Sequence, residues 1–535
     1  MKKGYLALVL HTHLPYIKHP EEDYFLEENW LYEAITESYL PLLDVFNRLR
    51  KENTYFQLTM SITPPLVNML SDPLLLERYD KYIRSRISLV EEELKENINM
   101  PKGKILAFYQ KRLKHLYELF SKQLNFDILK GYKDLQDGGF LEIITCTATH
   151  EILPLEQNNK IKEIQVEVGV DTYREAFGRN PNGIWLGECA YTKGLDKILS
   201  DNGILFTVLD SHGLLHGEPP PVFGISAPVI SKNGVVFFGR DPMASKQVWS
   251  ASEGYPGDFK YREFYKDIGY EISPEKVKRY LHPAGFRFDS GIKLHKITGK
   301  VPLKDKELYD PEAAFETAET HAGNYMFNME KEAEYLLNTY KKEPIIVVPF
   351  DTELFGHWWF EGPEFLYSLF NKISKFSKSL ETVSLSRYID KFPIMQISEP
   401  DASSWGDGGY FKVWLNEETD WIYGHLNVLG KRMMDCSNRF QKPSFLQKRL
   451  LNQMARELLL AESSDWAFLI TVGTAVNYAR SREIFHINSF NYLYDQLING
   501  KFDLEFLDWL SIKDSIFPKI NYEIFKEDKW KEKNI

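Results

Sequence analysis

Two acids close apolar runs in this chain. Glu188 follows Ile184-Trp185-Leu186-Gly187, and Asp351 follows Ile345-Ile346-Val347-Val348-Pro349-Phe350. Each run reads as a short buried strand. If both strands belong to one parallel barrel, the two carboxyl groups stand at its C-terminal mouth. Paired carboxyls are what a retaining attack on a glycosidic bond requires: at about 5–5.5 Å one attacks the anomeric carbon while the other protonates the leaving oxygen. An arbitrary strand-end acid more often serves a turn or a salt bridge. Here each acid adjoins aromatic rings, Trp185 and Tyr191 at Glu188, and Phe355, Trp358 and Trp359 at Asp351. Low polarity around a carboxyl raises its pKa and keeps a proton available.

Further polar residues cluster where apolar runs end. His11-Thr12-His13 follows Leu6–Leu10, and we read its imidazoles as lying on opposite faces of a continuing strand, with only one pointing inward. His13 in particular also fits a core histidine. His150, His212 and Asp210 stand at similar places and with the His pair offer zinc-type ligands, but the spacing is not that of a metal motif. The expectation is therefore no metal and no cofactor, with His11, His13 and His150 hydrogen-bonding a substrate. Trp405, Trp414 and Trp421 occupy a turn-rich junction, as sugar platforms or as glue between domains; Trp405, beside glycines and serines, is expected to expose its ring. Asp465, in Ser463-Ser464-Asp465-Trp466, is a site residue or part of a helix cap. Tyr255 lies in the 247–267 stretch among Gly254, Pro256 and Gly257, which reads either as a lid over the site or as a packed loop.

Seven short apolar runs position these groups: Leu6–Leu10, Phe56–Ser61, Leu141–Cys146, Ile184–Leu186, Leu205–Leu209, Val235–Phe238 and Ile345–Pro349. Runs that are near-continuously hydrophobic belong to strands covered on both faces, so the architecture expected is α/β, an incomplete (β/α)7 barrel. A helical insertion at about 72–130 is marked by two apolar stripes, Ile83, Ile87, Val90, Leu94 and then Tyr109, Leu113, Leu116, Phe120, Leu124, broken by Pro101-Lys102-Gly103. Residues 311–342 also read as helical. From about residue 401 to 535 a C-terminal helical domain follows, with Leu451, Met454, Leu458 and Leu459 on one buried face, and it is expected to lend residues to the mouth of the catalytic domain, residues 1–400.

A net charge of −11 argues against a nucleic-acid partner, because no basic surplus is available for phosphates. No run approaches the roughly 20 apolar residues that span a bilayer. The start, Met1-Lys2-Lys3 before an apolar run, has no small-residue cleavage site and reads as a first strand. Three cysteines, Cys146, Cys189 and Cys436, show neither disulfide nor metal-finger spacing, which fits a reducing cytoplasm.

Together the motifs His11-Thr12-His13-Leu14-Pro15-Tyr16, Gly139–Ile144 with Thr149-His150, Trp185–Tyr191, Phe350–Trp359 and Ala455-Arg456-Glu457 with Ser463–Trp466 make the chain resemble glycoside hydrolase family 57 over essentially its whole length. Within that family it is similar to the 1,4-α-glucan branching enzymes, through Ser403–Gly406 and the helical C-terminal part, and to their amylase-like relatives. The resemblance implies retention of configuration, Glu188 as nucleophile, Asp351 as acid/base and no obligatory metal. It also implies that His11, His150, Trp405, Trp414 and Asp465 line the donor site. The substrates implied are α-glucans such as amylose, amylopectin and glycogen, and a monomer is expected. Gly187 departs from the pattern, where a residue with a side chain is expected, and would loosen the turn. The nearest rivals are an α-amylase-like hydrolase and a 4-α-glucanotransferase. From other classes stand a metal-dependent polysaccharide deacetylase and an inert glucan-binding module.

Overall fold

The computed structural model describes residues 4–250 and 253–526. Met1-Lys2-Lys3 and, in the 247–267 stretch, Ala251 and Ser252 lie outside the described residues. Ten strands occur in this part: β1 (Gly4–Thr12), β2 (Leu58–Ile62), β3 (Leu141–Cys146), β4 (Ile184–Trp185), β5 (Phe206–Leu209), β6 (Val229–Ile230), β7 (Val236–Gly239), β8 (Ile345–Asp351), β9 (Leu380–Thr382) and β10 (Gln396–Ile397). One sheet runs β4-β3-β2-β1-β8 with β9 beside the start of β1, and the other runs β10-β6-β7-β5. A parallel bridge from Gly183 to Phe206 joins them on one side. On the other the Asp241 N–H donates to the Val347 carbonyl at 2.8 Å. The seven apolar runs of the sequence are thus the seven strands β1–β5, β7 and β8 of an incomplete (β/α)7 barrel.

Alternation along β1 explains why the run is apolar throughout. Tyr5, Ala7 and Val9 pack with Ile144, Trp185 and Val347 inside the barrel, whereas Leu6, Leu8 and Leu10 pack outward under the helices. Successive side chains on a strand face opposite ways, so the inward series 5, 7, 9 continues to His11 and His13. The two histidines share a face because they are two residues apart, and the opposite-face reading is corrected. The same alternation on β8 puts Asp351 in the inward series of Ile345 and Val347, and register pairs His11 with Asp351 across the two strands.

The insertion forms helices Pro73–Asn97, capped by the Asp72 carboxylate on the Leu74 and Leu75 N–H groups, and Gly103–Glu118. Ile83, Val90, Tyr109, Leu113 and Leu116 are buried as their spacing requires. Residues 311–340 are helical. After residue 420 the chain is helical, with Asp420–Arg439, Phe445–Ala461, Ser464–Val472, Val476–Asn499 and Leu504–Lys513. Leu451, Met454, Leu458 and Leu459 are all fully buried. The 253–309 segment has only short turns and one short helical stretch at 274–281, and buried Arg262 ties it to the barrel side through Glu37 at 3.4 Å.

Candidate active site

At the barrel mouth an aromatic pillar rises from β1. His11 stacks on Trp185 at 4.8 Å and on His150 at 5.0 Å, and His150 stacks on His13 at 3.9 Å. Hydrogen bonds fix the tautomers. The Ser464 hydroxyl donates to the His150 carbonyl at 2.6 Å, so it accepts from His150 Nδ1–H at 2.9 Å. That leaves His150 Nε2 to accept from His11 Nε2–H at 3.0 Å, and His11 Nδ1 to accept from the Ser61 hydroxyl at 2.6 Å. Burial holds His11 and His150 well below the ordinary histidine range, hence neutral, as these roles require. His13 differs: burial opposes its charge, but Asp465, 3.0 Å from Nε2, outweighs that and raises it. The same ion pair outweighs the burial that would raise Asp465 and lowers it.

Glu188 sits on a turn rather than on the strand. Its φ is 58° and that of Cys189 is 54°, with His150 at 61° across from it, left-handed backbone that costs an L-residue about 1–2 kcal/mol. What holds the turn is contact. A Cβ on Gly187 would meet the His150 and Glu151 carbonyl oxygens at 2.6 Å each, so glycine is what lets the turn close, and the expected loosening is corrected. From the other side Trp405 clamps Glu188 twice, its backbone N–H on the Glu188 carbonyl at 3.0 Å and its indole Nε1–H on Oε2 at 2.6 Å. Trp405 is therefore a half-buried partner of the carboxylate, not an exposed ring, and Trp414 is fully buried behind Gly406.

Burial raises Glu188 to about 7 and Asp351 to about 6, Asp351 adding to the effect on Glu188. Two carboxyls that feel each other titrate as a pair, and of the two Glu188 gives up its proton last. The Trp405 N–H favours the charge on Glu188. A third acid, Glu353, is raised by burial to about 8 while accepting from the Tyr39 hydroxyl at 2.6 Å.

A cavity of about 490 Å³ opens over these groups, lined by His11, His13, Glu188, Asp351, Trp405 and Asp465 among others. A second, of about 730 Å³, adjoins it, and Trp249, Asp351 and Trp358 line both. Arg240, Glu353, Trp249 and Trp358 also face the inner cavity; the sequence marks Arg240 as a strand-end polar residue and Trp358 as a ring beside Asp351, without assigning either a role, and does not mark Glu353 or Trp249 as site residues. Arg240 directly follows β7, one of the strand endings whose polar residues the sequence points to as sharing a site, whereas Glu353 lies in the Thr352–Leu354 3-10 turn beyond the end of β8, where strand alternation no longer predicts a side chain's direction. Tyr255 lines neither cavity: its hydroxyl donates to Asn324 at 2.6 Å in a separate polar depression. From its stretch Trp249, Pro256 and Gly257 line the outer cavity. His212 and Asp210 pair at 3.2 Å, and Asp210 holds Arg240 at 3.3 Å.

Among the described residues two groups bring potential metal-ligand atoms within 4.8 Å of one another, His13 with His150 and Asp465, and the buried Glu457 with His486 and Asp514. In the first, the ring nitrogens are already taken by Asp465, Thr63, Ser464 and His11.

The family model for glycosyl hydrolase family 57 matches residues 7–399, and that for the C-terminal part of 1,4-alpha-glucan branching enzymes matches residues 425–525. The chain is 35% identical to the 1,4-alpha-glucan branching enzyme TK1436 of Thermococcus kodakarensis, over 97% of this chain and 78% of that protein. Among solved structures it is similar to the alpha-amylase AmyC from Thermotoga maritima, with TM-score 0.92, 43% identity and coverage of 98% and 99% of the two chains. A branching enzyme from Pyrococcus horikoshii gives TM-score 0.88, 32% identity and coverage of 98% and 97%.

Proposed function

The chain belongs to glycosyl hydrolase family 57, and on that premise we propose that it is a 1,4-α-glucan branching enzyme in which Glu188 is the nucleophile and Asp351 the acid/base. The observation that carries the transfer reading is that Asp351 lines both cavities. The inner cavity takes the donor glucosyl unit. The outer cavity first holds the departing chain and then the acceptor, and the one carboxyl that must serve both chains stands between them.

The ionised Glu188 oxygen attacks the anomeric carbon of an α-1,4 bond as the glycosidic C–O bond breaks, and Asp351 gives its proton to the leaving oxygen. A β-glucosyl ester on Glu188 results. Asp351, now a carboxylate, takes the proton of an acceptor 6-hydroxyl as that oxygen attacks the same carbon, displacing Glu188 and forming an α-1,6 branch. The Trp405 N–H favours the charge on Glu188, but burial leaves Glu188 the more strongly raised of the two acids in the free protein, so the reaction needs the proton of the pair moved onto Asp351. His11 and His150 stay neutral with their ring nitrogens engaged by Ser61, Ser464 and each other, and His13 is cationic beside Asp465, so the stack offers ring faces and one positive charge near the acids. Water competes for the ester, and the rings of the outer cavity favour a glucan over it.

We assign residues 1–400 to catalysis, with the insertion at about 72–130, and residues 401–535 to a C-terminal unit that supplies Trp405, Trp414 and Asp465. The enzyme acts as a monomer, in the cytoplasm, in the synthesis of glycogen-like glucan.

A second reading, an α-amylase-like hydrolase, is favoured by the likeness to AmyC. Incubation with amylose separates them: α-1,6 signals in proton NMR that outpace new reducing ends support branching, and reducing ends without branches support hydrolysis. Glu188→Gln and Asp351→Asn should abolish either product, and activity persisting in both would overturn the two-carboxyl mechanism.

A further inference from the structure

Glu353 is a carboxyl of the inner cavity to which the two-carboxyl mechanism gives no part. It lies in the Thr352–Leu354 turn just past β8 and lines the cavity with His13, Glu188 and Asp351. Both its backbone and its side chain are fixed. The Glu353 carbonyl accepts from the Trp358 N–H at 3.1 Å, and its Oε1 accepts from the Tyr39 hydroxyl at 2.6 Å. Tyr39 is itself held: it is fully buried at the end of the Ile35–Tyr39 helical turn, and its carbonyl accepts from the Tyr132 hydroxyl at 2.8 Å.

The second oxygen differs. Glu353 Oε2 has no hydrogen-bond partner on any other described residue, yet it is not one of the sealed polar atoms of the interior. The residue is half-buried, so this oxygen is open to the cavity that Glu353 lines. A carboxyl anchored through one oxygen and free at the other is a pre-oriented hydrogen-bonding group, and in a cavity assigned to a sugar its partner is a hydroxyl.

We propose that Glu353 is a further substrate-binding residue of the donor site, its Oε1 fixed by Tyr39 and its Oε2 bonded to a hydroxyl of the donor glucosyl ring. The proposal rests on the inner cavity being that donor site. Protonation sets the direction of the bond. Burial raises Glu353 to about 8, with the Tyr39 hydroxyl opposing the rise and the Asp351 charge adding to it. Near neutrality the acid form therefore fills the site, accepting from Tyr39 through Oε1 and donating its Oε2–H to the sugar oxygen. This form adds no charge beside Asp351.

The test is the pH dependence of kcat/KM for amylose consumption, new branches and new reducing ends summed, in the native chain, Glu353→Ala, Glu353→Gln and Tyr39→Phe, with each melting temperature measured alongside. The sum is indifferent to whether branching or hydrolysis follows cleavage, and Glu188→Gln reports separately on the two-carboxyl mechanism, so failure of either reading is distinguishable from failure of this one. Glu353→Ala leaves the sugar hydroxyl unpaired and should lower kcat/KM about 10- to 100-fold. Glu353→Gln keeps an acceptor for Tyr39 and a neutral N–H donor for the sugar, and should recover about 5-fold or more of that loss. Because the acid form binds, loss of its proton adds a further fall in rate as pH rises through about 8, and Glu353→Gln should lack that fall. Tyr39→Phe removes a donor that favours the carboxylate, so Glu353 holds its proton longer and the fall should move to higher pH. A purely structural role would move neither. Three results each overturn the proposal: Glu353→Ala as active as the native chain, Glu353→Gln no better than Glu353→Ala, or an alkaline fall that is the same with and without the Glu353 carboxyl. Should a Glu353 variant fail to fold, Tyr39→Phe decides, and an unmoved alkaline fall overturns the proposal.

Discussion

The two cavities that meet at Asp351 are made of different material. The inner one is built from strand ends, where β1 and β8 hold His11 and Asp351 in register and the imidazoles and Glu188 are tied down, through the Ser61–His11–His150–Ser464 chain, His13–Asp465 and Trp405–Glu188. The outer one is walled largely by the turn-rich segment before residue 310 and by rings that stay open, with Trp358 57% and Tyr265 71% exposed. On the proposed mechanism the contrast follows from what each must do. Charge that develops at an anomeric carbon is stabilised only by groups fixed beforehand, whereas a glucan chain of variable length is held by ring stacking without directional bonds. Substitutions in the inner cavity should therefore slow every product alike, and those in the outer cavity should change which product forms.

The largest effect tests the inner half. Glu188→Gln is expected to lower kcat about 10⁴-fold or more, and Asp351→Asn about 10²–10⁴-fold, with branches and reducing ends falling together on amylose. A variant that lost only one product would break the division between the cavities. Next comes Gly187→Ala. Its methyl meets two backbone carbonyl oxygens that cannot swing away, so a loss of about 1–3 kcal/mol of stability by denaturant titration is expected, together with activity, because the Glu188 turn opens. Unchanged stability would mean that the turn is not held as described.

Trp405→Phe is milder and carries a pH signature. It keeps a ring but removes the N–H donor on Glu188, a hydrogen bond to a charged group that contributes about 1.5–3 kcal/mol, so about 10- to 100-fold in kcat is expected. That bond lowers the Glu188 pKa. Without it the ionised nucleophile forms at higher pH, and the acidic limb of the pH–rate profile should move upward. A downward or absent shift would remove Trp405 from this role.

The barrel was legible in the sequence because strands covered on both faces have no polar alternation to hide them: the runs at Leu6, Leu141 and Ile345 each became strands. The acids at their ends were legible for the same reason. Where the reading failed, the signal was either miscounted or tertiary. His11 and His13 share a face by simple counting, whereas Glu353 lies in the 3-10 turn after β8 and is placed only by the fold. Trp405 could not be placed, because glycines and serines nearby suggested exposure while its actual partner, Glu188, lies 217 positions away. Gly187 and Tyr255 likewise depend on what packs against them, the His150 carbonyl in one case and the Pro311–Tyr340 helix in the other, and no local pattern encodes that.

The smallest effect is the most discriminating for the outer half. Trp358 borders both cavities, is exposed, and is held flat against Phe264 at 4.8 Å and an interplanar angle of 20°. A ring fixed in that way offers its free face to a sugar. Trp358→Ala removes the face while leaving Glu188, Asp351 and their hydrogen bonds untouched, and stacking on an aromatic ring contributes about 0.5–1.5 kcal/mol. The expected result is a fall of about 2- to 10-fold in the ratio of α-1,6 branches to new reducing ends, with total bond cleavage changed less than that. If cleavage and branching instead fell in proportion, Trp358 would belong with the donor side, and the boundary between the two cavities would have to be redrawn on the inner side of Asp351.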